Sequence, residues 1–184
     1  MNTWKIDPIH SEIKFKVRHL IVSTVTGQFK KFDAVIEVPE DDFGMAKVSF
    51  EAEVNSIDTN NADRDTHLKS EDFFDAAKHP KMTFLSKSIS KISDEKYKLT
   101  GDMTIRGTTK ETTLDVVYNG KAKGFDGIEV AGFEITGKLS RLEFGLKWNA
   151  ALETGGVVVS DEVKLEIFAE MKKETAVHSG KTAA

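Results

Sequence analysis

From Glu12 to His19 polar and apolar side chains alternate without a break, with Ile13, Phe15, Val17 and His19 on one side and Glu12, Lys14, Lys16 and Arg18 on the other. Successive side chains of an extended strand point to opposite faces, so the pattern predicts a half-buried β-strand. The same period of two returns in Ala46, Val48, Phe50, Ala52, Val54, in Tyr97, Leu99, Gly101, Met103, Ile105, in Ala131, Phe133, Ile135, Gly137, Leu139, and in Val163, Leu165, Ile167, Ala169, Met171. Weaker strand patterns cover 3–7, 27–38, 82–92, 112–118 and 142–148, giving eight to ten strands. Turns such as Pro39-Glu40-Asp41-Asp42, Ser93-Asp94-Glu95, Gly124-Phe125-Asp126-Gly127 and Gly155-Gly156 separate them at hairpin spacing, so neighbours pair antiparallel. Between Phe29 and Phe32 the apolar parity slips, which predicts a β-bulge.

Residues 60–79 break this grammar. Asn60 is placed to cap one helix, Ser70 to cap a second with Glu71 and Asp72 in its first turn, and Pro80 to stop it. Leu68, Phe73, Phe74 and Ala77 give the segment an apolar side, which must lie on something; the mouth or flank of a barrel is the natural seat, so the insertion reads as a lid. The chain reads as one domain over 1–173, followed by an aperiodic, disordered tail over 174–184. Gly180-Lys181-Thr182 in that tail mimics the end of a phosphate-binding loop, but Thr175 stands where the first glycine belongs.

An antiparallel chain of this length either packs two sheets face to face or closes on itself, and periodicity fits both. An eight-stranded barrel holds either its own side chains or one small ligand. Small inward residues (Ala46, Ala52, Gly101, Ala131, Gly137, Ala169) beside Phe50, Phe84 and Phe133 suit a groove and an interdigitated core alike. If the interior is open, its aliphatic and Phe lining favours an apolar chain, because burial stabilises by roughly 25 cal/mol per Å².

Composition narrows the partners. Twelve Phe against two Trp and two Tyr supply apolar surface without polar handles. With 26 basic and 30 acidic residues interspersed, the chain lacks the basic footprint of a nucleic-acid binder. The absence of Cys excludes disulfides, thiol nucleophiles and thiolate metal sites. No apolar run is long enough for a transmembrane helix, so no stable membrane insertion is expected, and a homodimer is compatible with the sequence. Without an apolar leader after Met1, the sequence predicts a cytoplasmic protein, or a periplasmic one if a signal was removed.

The best enzymatic arrangement on paper is a small hydrolase or isomerase using His67 with Asp65 or Ser11. Asp65 and His67 are two residues apart and diverge on a helix, and Ser11 lacks the glycine-flanked elbow that exposes a nucleophile. These groups read instead as caps and turn closures, and no catalytic residue is assigned. None of the spacings among His10, His19, His67 and His79 matches a paired zinc motif, so no metal or other cofactor is expected. Arg106 and Arg141, at strand ends, could grip a phosphate; surface ion pairs are the favoured reading for each.

Three long segments carry a resemblance: Trp4-Lys5-Ile6-Asp7-Pro8-Ile9-His10-Ser11, Arg64-Asp65-Thr66-His67-Leu68-Lys69-Ser70-Glu71-Asp72-Phe73-Phe74-Asp75, and Leu99-Thr100-Gly101-Asp102-Met103-Thr104-Ile105-Arg106-Gly107. With Val25-Thr26-Gly27-Gln28-Phe29, Ser56-Ile57-Asp58-Thr59, Ala131-Gly132-Phe133 and Phe144-Gly145, they closely resemble the YceI-like family, in order from residue 3 to about 171. The resemblance implies an all-β, lipocalin-like, extended antiparallel barrel of about eight strands with a short helical lid. It also implies a non-enzymatic carrier of a long isoprenoid lipid, of the polyprenyl phosphate or isoprenoid quinone type, with family links to stress. The expected ligand-binding residues are Phe15, Val17, His19, Phe29, Phe50, Phe74, Phe84, Met103, Ile105, Phe133, Ile135 and Phe144.

Overall fold

The computed structural model describes residues 1–175, so the tail from residue 176 onward, with its Gly180-Lys181-Thr182, lies outside the described residues. Eleven strands form one antiparallel sheet: β1 (Asn2–Ile6), β2 (Glu12–His19), β3 (Ser23–Phe29), β4 (Phe32–Val38), β5 (Lys47–Glu53), β6 (Ile57–Asp58), β7 (Lys81–Lys91), β8 (Lys96–Ile105), β9 (Thr108–Lys123), β10 (Glu129–Ser140) and β11 (Val159–Lys173). β2 pairs β3 while β1 pairs β4, and β4 pairs β5 while β3 pairs β6. The first six strands therefore lie end to end as three staves, each broken once, and β7 to β11 complete eight staves. β11 closes the ring by pairing β2 along its first part and β1 along its last. The expected class is the one observed: a closed, eight-stave antiparallel barrel with, among the described residues, one short α-helix.

The breaks have local causes. Between β1 and β2, Pro8 carries no N–H for a ladder, and the joint is tied across to β11: Asp7 N–H donates to Glu170 O at 2.8 Å, and Ser11 Oγ accepts from Glu170 N–H at 3.0 Å. The buried Asp7 carboxylate accepts from Ile9 N–H at 3.0 Å and meets Lys172 Nζ and His10 Nδ1, each at 2.8 Å. The Lys172 ammonium, above all, holds this carboxyl far below its ordinary range; His10 and the Ile9 N–H act the same way and burial opposes them. The parity slip at 29–32 is a full interruption at Lys30 and Lys31, where the stave passes from one pair of partners to another, rather than a bulge within one strand.

Two further expectations are corrected. Residues 142–148 form a single 3₁₀ turn (Leu142–Phe144) and a loop instead of a strand, because Arg141 folds this stretch around its guanidinium. The insertion holds one helix, α1 (Ala62–Lys69), not two; Asn61 rather than Asn60 caps it, accepting from Arg64 N–H at 2.9 Å. Ser70 ends α1, its hydroxyl donating to His67 O at 2.6 Å, and Asp75 takes a left-handed φ of 49°, so 70–79 runs as turns.

Candidate functional site

The inward faces of the staves do not meet. They surround a cavity of about 570 Å³ that runs most of the barrel's length, mid-range for the roughly 300–1,000 Å³ of ligand pockets. At one end the cavity is floored by aromatic rings. Phe43, carried on the 3₁₀ turn Phe43–Met45, lies 5.2 Å from both Tyr118 and Phe133 and 5.6 Å from Trp4. That turn is set by Asp42, whose carboxylate accepts from Gly44 N–H at 2.9 Å.

The walls come from alternate residues of nearly every stave. Phe15 and Val17 on β2 continue the wall beside Leu165 and Ile167 on β11 and Ile135 on β10; Phe50 on β5 and Phe84 on β7 face inward as cross-strand partners; Met103 and Ile105 follow on β8, and Phe133 on β10 lies toward the floor. Phe29 joins Phe15 at 5.7 Å and Phe74 at 6.0 Å, so the lid's aromatic ring continues the wall. Phe144, in the loop after β10, and His19, at the end of β2, complete the twelve residues expected from the sequence; all twelve line the cavity. The small positions contribute differently than their size suggests. An added Cβ on Gly27 would fall 2.2 Å from the Phe15 ring, on Gly101 2.6 Å from Phe84, and on Gly137 2.4 Å from Leu114. These glycines seat a neighbour's bulk against the wall, while Ala46 and Ala169 leave open space.

Polar residues gather at the opposite end. Apart from Lys14 on β2 and Tyr97 near the floor, the charged and polar lining comes from Arg18 and His19, from Thr59, Asp63, Arg64 and His67 in and before α1, and from Arg141 and Trp148. Arg18 and Asp63 are the exposed residues among them, so the mouth opens between the β2–β3 hairpin and α1. The lid is fastened by rings and by one arginine. His67 packs edge-on against Phe73 at 5.0 Å and Trp148 at 4.8 Å. Arg106 donates to Phe73 O at 2.7 Å and Gly145 O at 3.1 Å, joining the lid to the 142–148 loop.

Neither Arg106 nor Arg141 is a surface ion pair, which corrects that reading. Arg141 is buried and donates to four backbone oxygens, of Leu146, Trp148, Ser160 and Val159, at 2.6 to 3.1 Å. Burial pulls its pKa below the ordinary arginine value, and Asp161 partly opposes this. Strand-end position gave no sign of this role. Phe43, Leu68, Phe73 and Trp148 were also missed as lining residues; an isolated Phe between Asp42 and Gly44 in an acidic turn was the available signal for Phe43.

The hydrolytic arrangement does not assemble. Ser11 is tied to the Glu170 backbone, Asp65 Oδ1 accepts from Thr59 N–H at 2.9 Å and Thr59 Oγ1 at 2.6 Å, and His67 Nε2 meets Asp72 at 2.8 Å. Among the described residues the histidines likewise do not converge: His10 lies with Asp7 and Glu170, a cluster that already contains the Lys172 ammonium.

The fold and the largely apolar interior define a lipocalin-like barrel with an internal cavity. The chain belongs to the YceI-like domain family, whose model matches residues 4–171. It is 42% identical over 171 residues to UPF0312 proteins of Staphylococcus epidermidis and Staphylococcus aureus, covering 92% of this chain and 97% of theirs. Among solved structures it is similar to the Campylobacter jejuni YceI protein, with 37% identity, a TM-score of 0.74 and coverage of 86% and 90%. It shares the fold of a polyisoprenoid binding domain from Saccharophagus degradans, with 14% identity, a TM-score of 0.65 and coverage of 93% and 98%. It also shares the fold of Burkholderia cenocepacia BcnA, with 22% identity, a TM-score of 0.78 and coverage of 90% and 98%.

Proposed function

We propose that this protein is a non-enzymatic carrier that holds one long isoprenoid chain in the barrel. The observation that carries the reading is the continuous cavity, floored by Phe43, walled mainly by aliphatic and Phe side chains, with most of its polar lining gathered toward its mouth. A chain threaded toward the floor exchanges water contact for apolar contact along its whole length, and a polar head stays at the α1 end. Its contacts are the twelve lining residues from Phe15 to Phe144 given above. Polyprenyl phosphates and quinones with prenyl tails fit this division, and the Saccharophagus degradans domain, described as polyisoprenoid binding, supports the class. Nothing in the placement of Ser11, Asp65 and His67 favours hydrolysis.

The test is mass spectrometry of organic extracts from gently purified protein, followed by melting of the stripped protein with added polyprenyl phosphate or prenyl quinone. A prenyl lipid in the extract and a raised melting temperature on re-addition are expected. Empty extracts together with unchanged melting across both ligand types would remove the proposal.

A further inference from the structure

The barrel's mouth carries an apolar surface that its core does not use. At the β2–β3 tip Leu20, Ile21 and Val22 are 37%, 62% and 85% exposed. Beside it a small hairpin, closed by a bridge between Ala151 and Val157, presents Val157 at 45% exposure. Leu20 N–H donates to Val158 O at 2.9 Å and Gly156 lies against the Ile21 side chain, so the two tips form one patch.

Charge is nearly missing here. None of the residues from Leu20 to Phe29 is charged, and from Trp148 to Ser160 only Glu153 is, in a chain where 30% are. The backbone adds a second oddity: Leu20 and Ile21 take left-handed φ values of 52° and 67°. A β-branched residue rarely adopts that conformation, where Gly or Asn sits without strain. The fold thus holds bulky apolar side chains outward where local chemistry prefers small polar ones. The patch is continuous with the mouth, because Arg18, His19, Val25, Val158 and Val159 on the same segments line the cavity.

We propose that this end of the barrel docks on a lipid bilayer surface, with Leu20–Val22 and Val157 entering the headgroup boundary. An apolar chain then passes between bilayer and cavity without crossing water; that purpose rests on the carrier reading, while the docking itself does not. A bilayer fits better than a protein partner. Four side chains on protruding tips fall far short of the roughly 20–30 residues a side of a standard protein interface. Side chains enter a bilayer one at a time, and each gains by its own buried area. Arg18, whose guanidinium donates to the Ile21 carbonyl oxygen, stands just behind the tip, where lipid phosphates would lie.

The test floats the lipid-stripped chain through a density gradient with neutral phosphatidylcholine vesicles, beside an Ile21→Asp/Val22→Asp variant. Both sites are exposed, so melting and binding of the apolar dye N-phenyl-1-naphthylamine should match in the two proteins. Flotation of the unmodified chain and at least about tenfold weaker partition of the variant are the expected result. The proposal is overturned if the unmodified chain stays below the vesicles at every lipid concentration, or if the variant floats equally well. It is also overturned if the substitutions abolish self-association and flotation never occurs, which would assign the patch to a second copy. Flotation without dye binding upholds docking and removes the carrier reading, so the two fail separately.

Discussion

Filling the cavity from its own wall should separate stability from binding. Ala169, half-buried on β11 and paired with Phe133 across the ladder, faces the open interior. In Ala169→Phe the new ring enters empty space: full burial of Phe contributes about 1.5–3 kcal/mol, and crowding costs about 1–3 kcal/mol only where the site is already packed. A net gain of about 1 kcal/mol for the empty protein raises its melting temperature by roughly 2–4 °C at this chain length. The ligand, by contrast, loses its place. Displacing about three methylene groups at about 0.8 kcal/mol each weakens binding by about 2.4 kcal/mol, roughly fiftyfold in Kd. Titration of stripped protein with a prenyl ligand and differential scanning calorimetry read the two effects side by side. Phe168→Ala, on the outer face of the same strand, should leave the affinity unchanged. If Ala169→Phe binds as tightly as the parent, the ligand does not occupy this part of the barrel. A melting temperature lowered by more than about 8 °C would show a packed wall there and refute the reasoning.

Gly27→Ala should push the Phe15 ring, now 2.2 Å from the added carbon, toward the cavity; since the far end of a flexible side chain moves, ligand affinity should fall while urea stability changes by less than about 1 kcal/mol. Arg141→Met should leave four backbone carbonyls, two in the 142–148 loop and two at the start of β11, without their donor and destabilise the protein by about 3 kcal/mol or more in urea, with faster amide exchange across 141–160. Asp7 has a folded pKa below its unfolded value, so it contributes stability at neutral pH that is lost as pH falls below about 4; in Asp7→Asn, unfolding midpoints followed from pH 7 to 2 should be lower at neutrality and decline less. Trp148→Ala should loosen the contact with His67 and speed ligand release in stopped flow, with equilibrium stability changed less than release.

Much of the wall was legible because a strand has only two faces. Once Ile13, Phe15 and Val17 are read as inward, every second residue follows, and the same parity marks Met103, Ile105, Phe133 and Ile135. What parity cannot show is which edges meet. The pairing of β1 with β11 joins Trp4 to Lys173, and neither local sequence contains the other. Turn-borne Phe43 escaped for a related reason, having no alternating neighbours to give it a side; Trp148 shares the parity of Leu142, Phe144 and Leu146, which predicted a strand there and not the loop that carries its ring to His67. Arg141 escaped because its four acceptors are backbone oxygens, which no side-chain pattern announces. The helical insertion was legible as a lid through Phe73 and Phe74, but its second helix failed: Ser70 Oγ donates back to His67 O at 2.6 Å while accepting from Asp72 N–H only at 3.4 Å, and the left-handed φ of Asp75 turns the chain before a second helix can form.

Closing the ring between its first and last strands sets the timetable of synthesis. A ribosome releases the chain at about 5–20 residues per second, N-terminus first. Until β11 emerges, β1 and β2 lack the partner that seals them, and what stands outside the exit tunnel is a greasy gutter with two raw edges. The hazard therefore lasts until β11 has emerged and paired, since one missing stave separates a finished vessel from an aggregation seed.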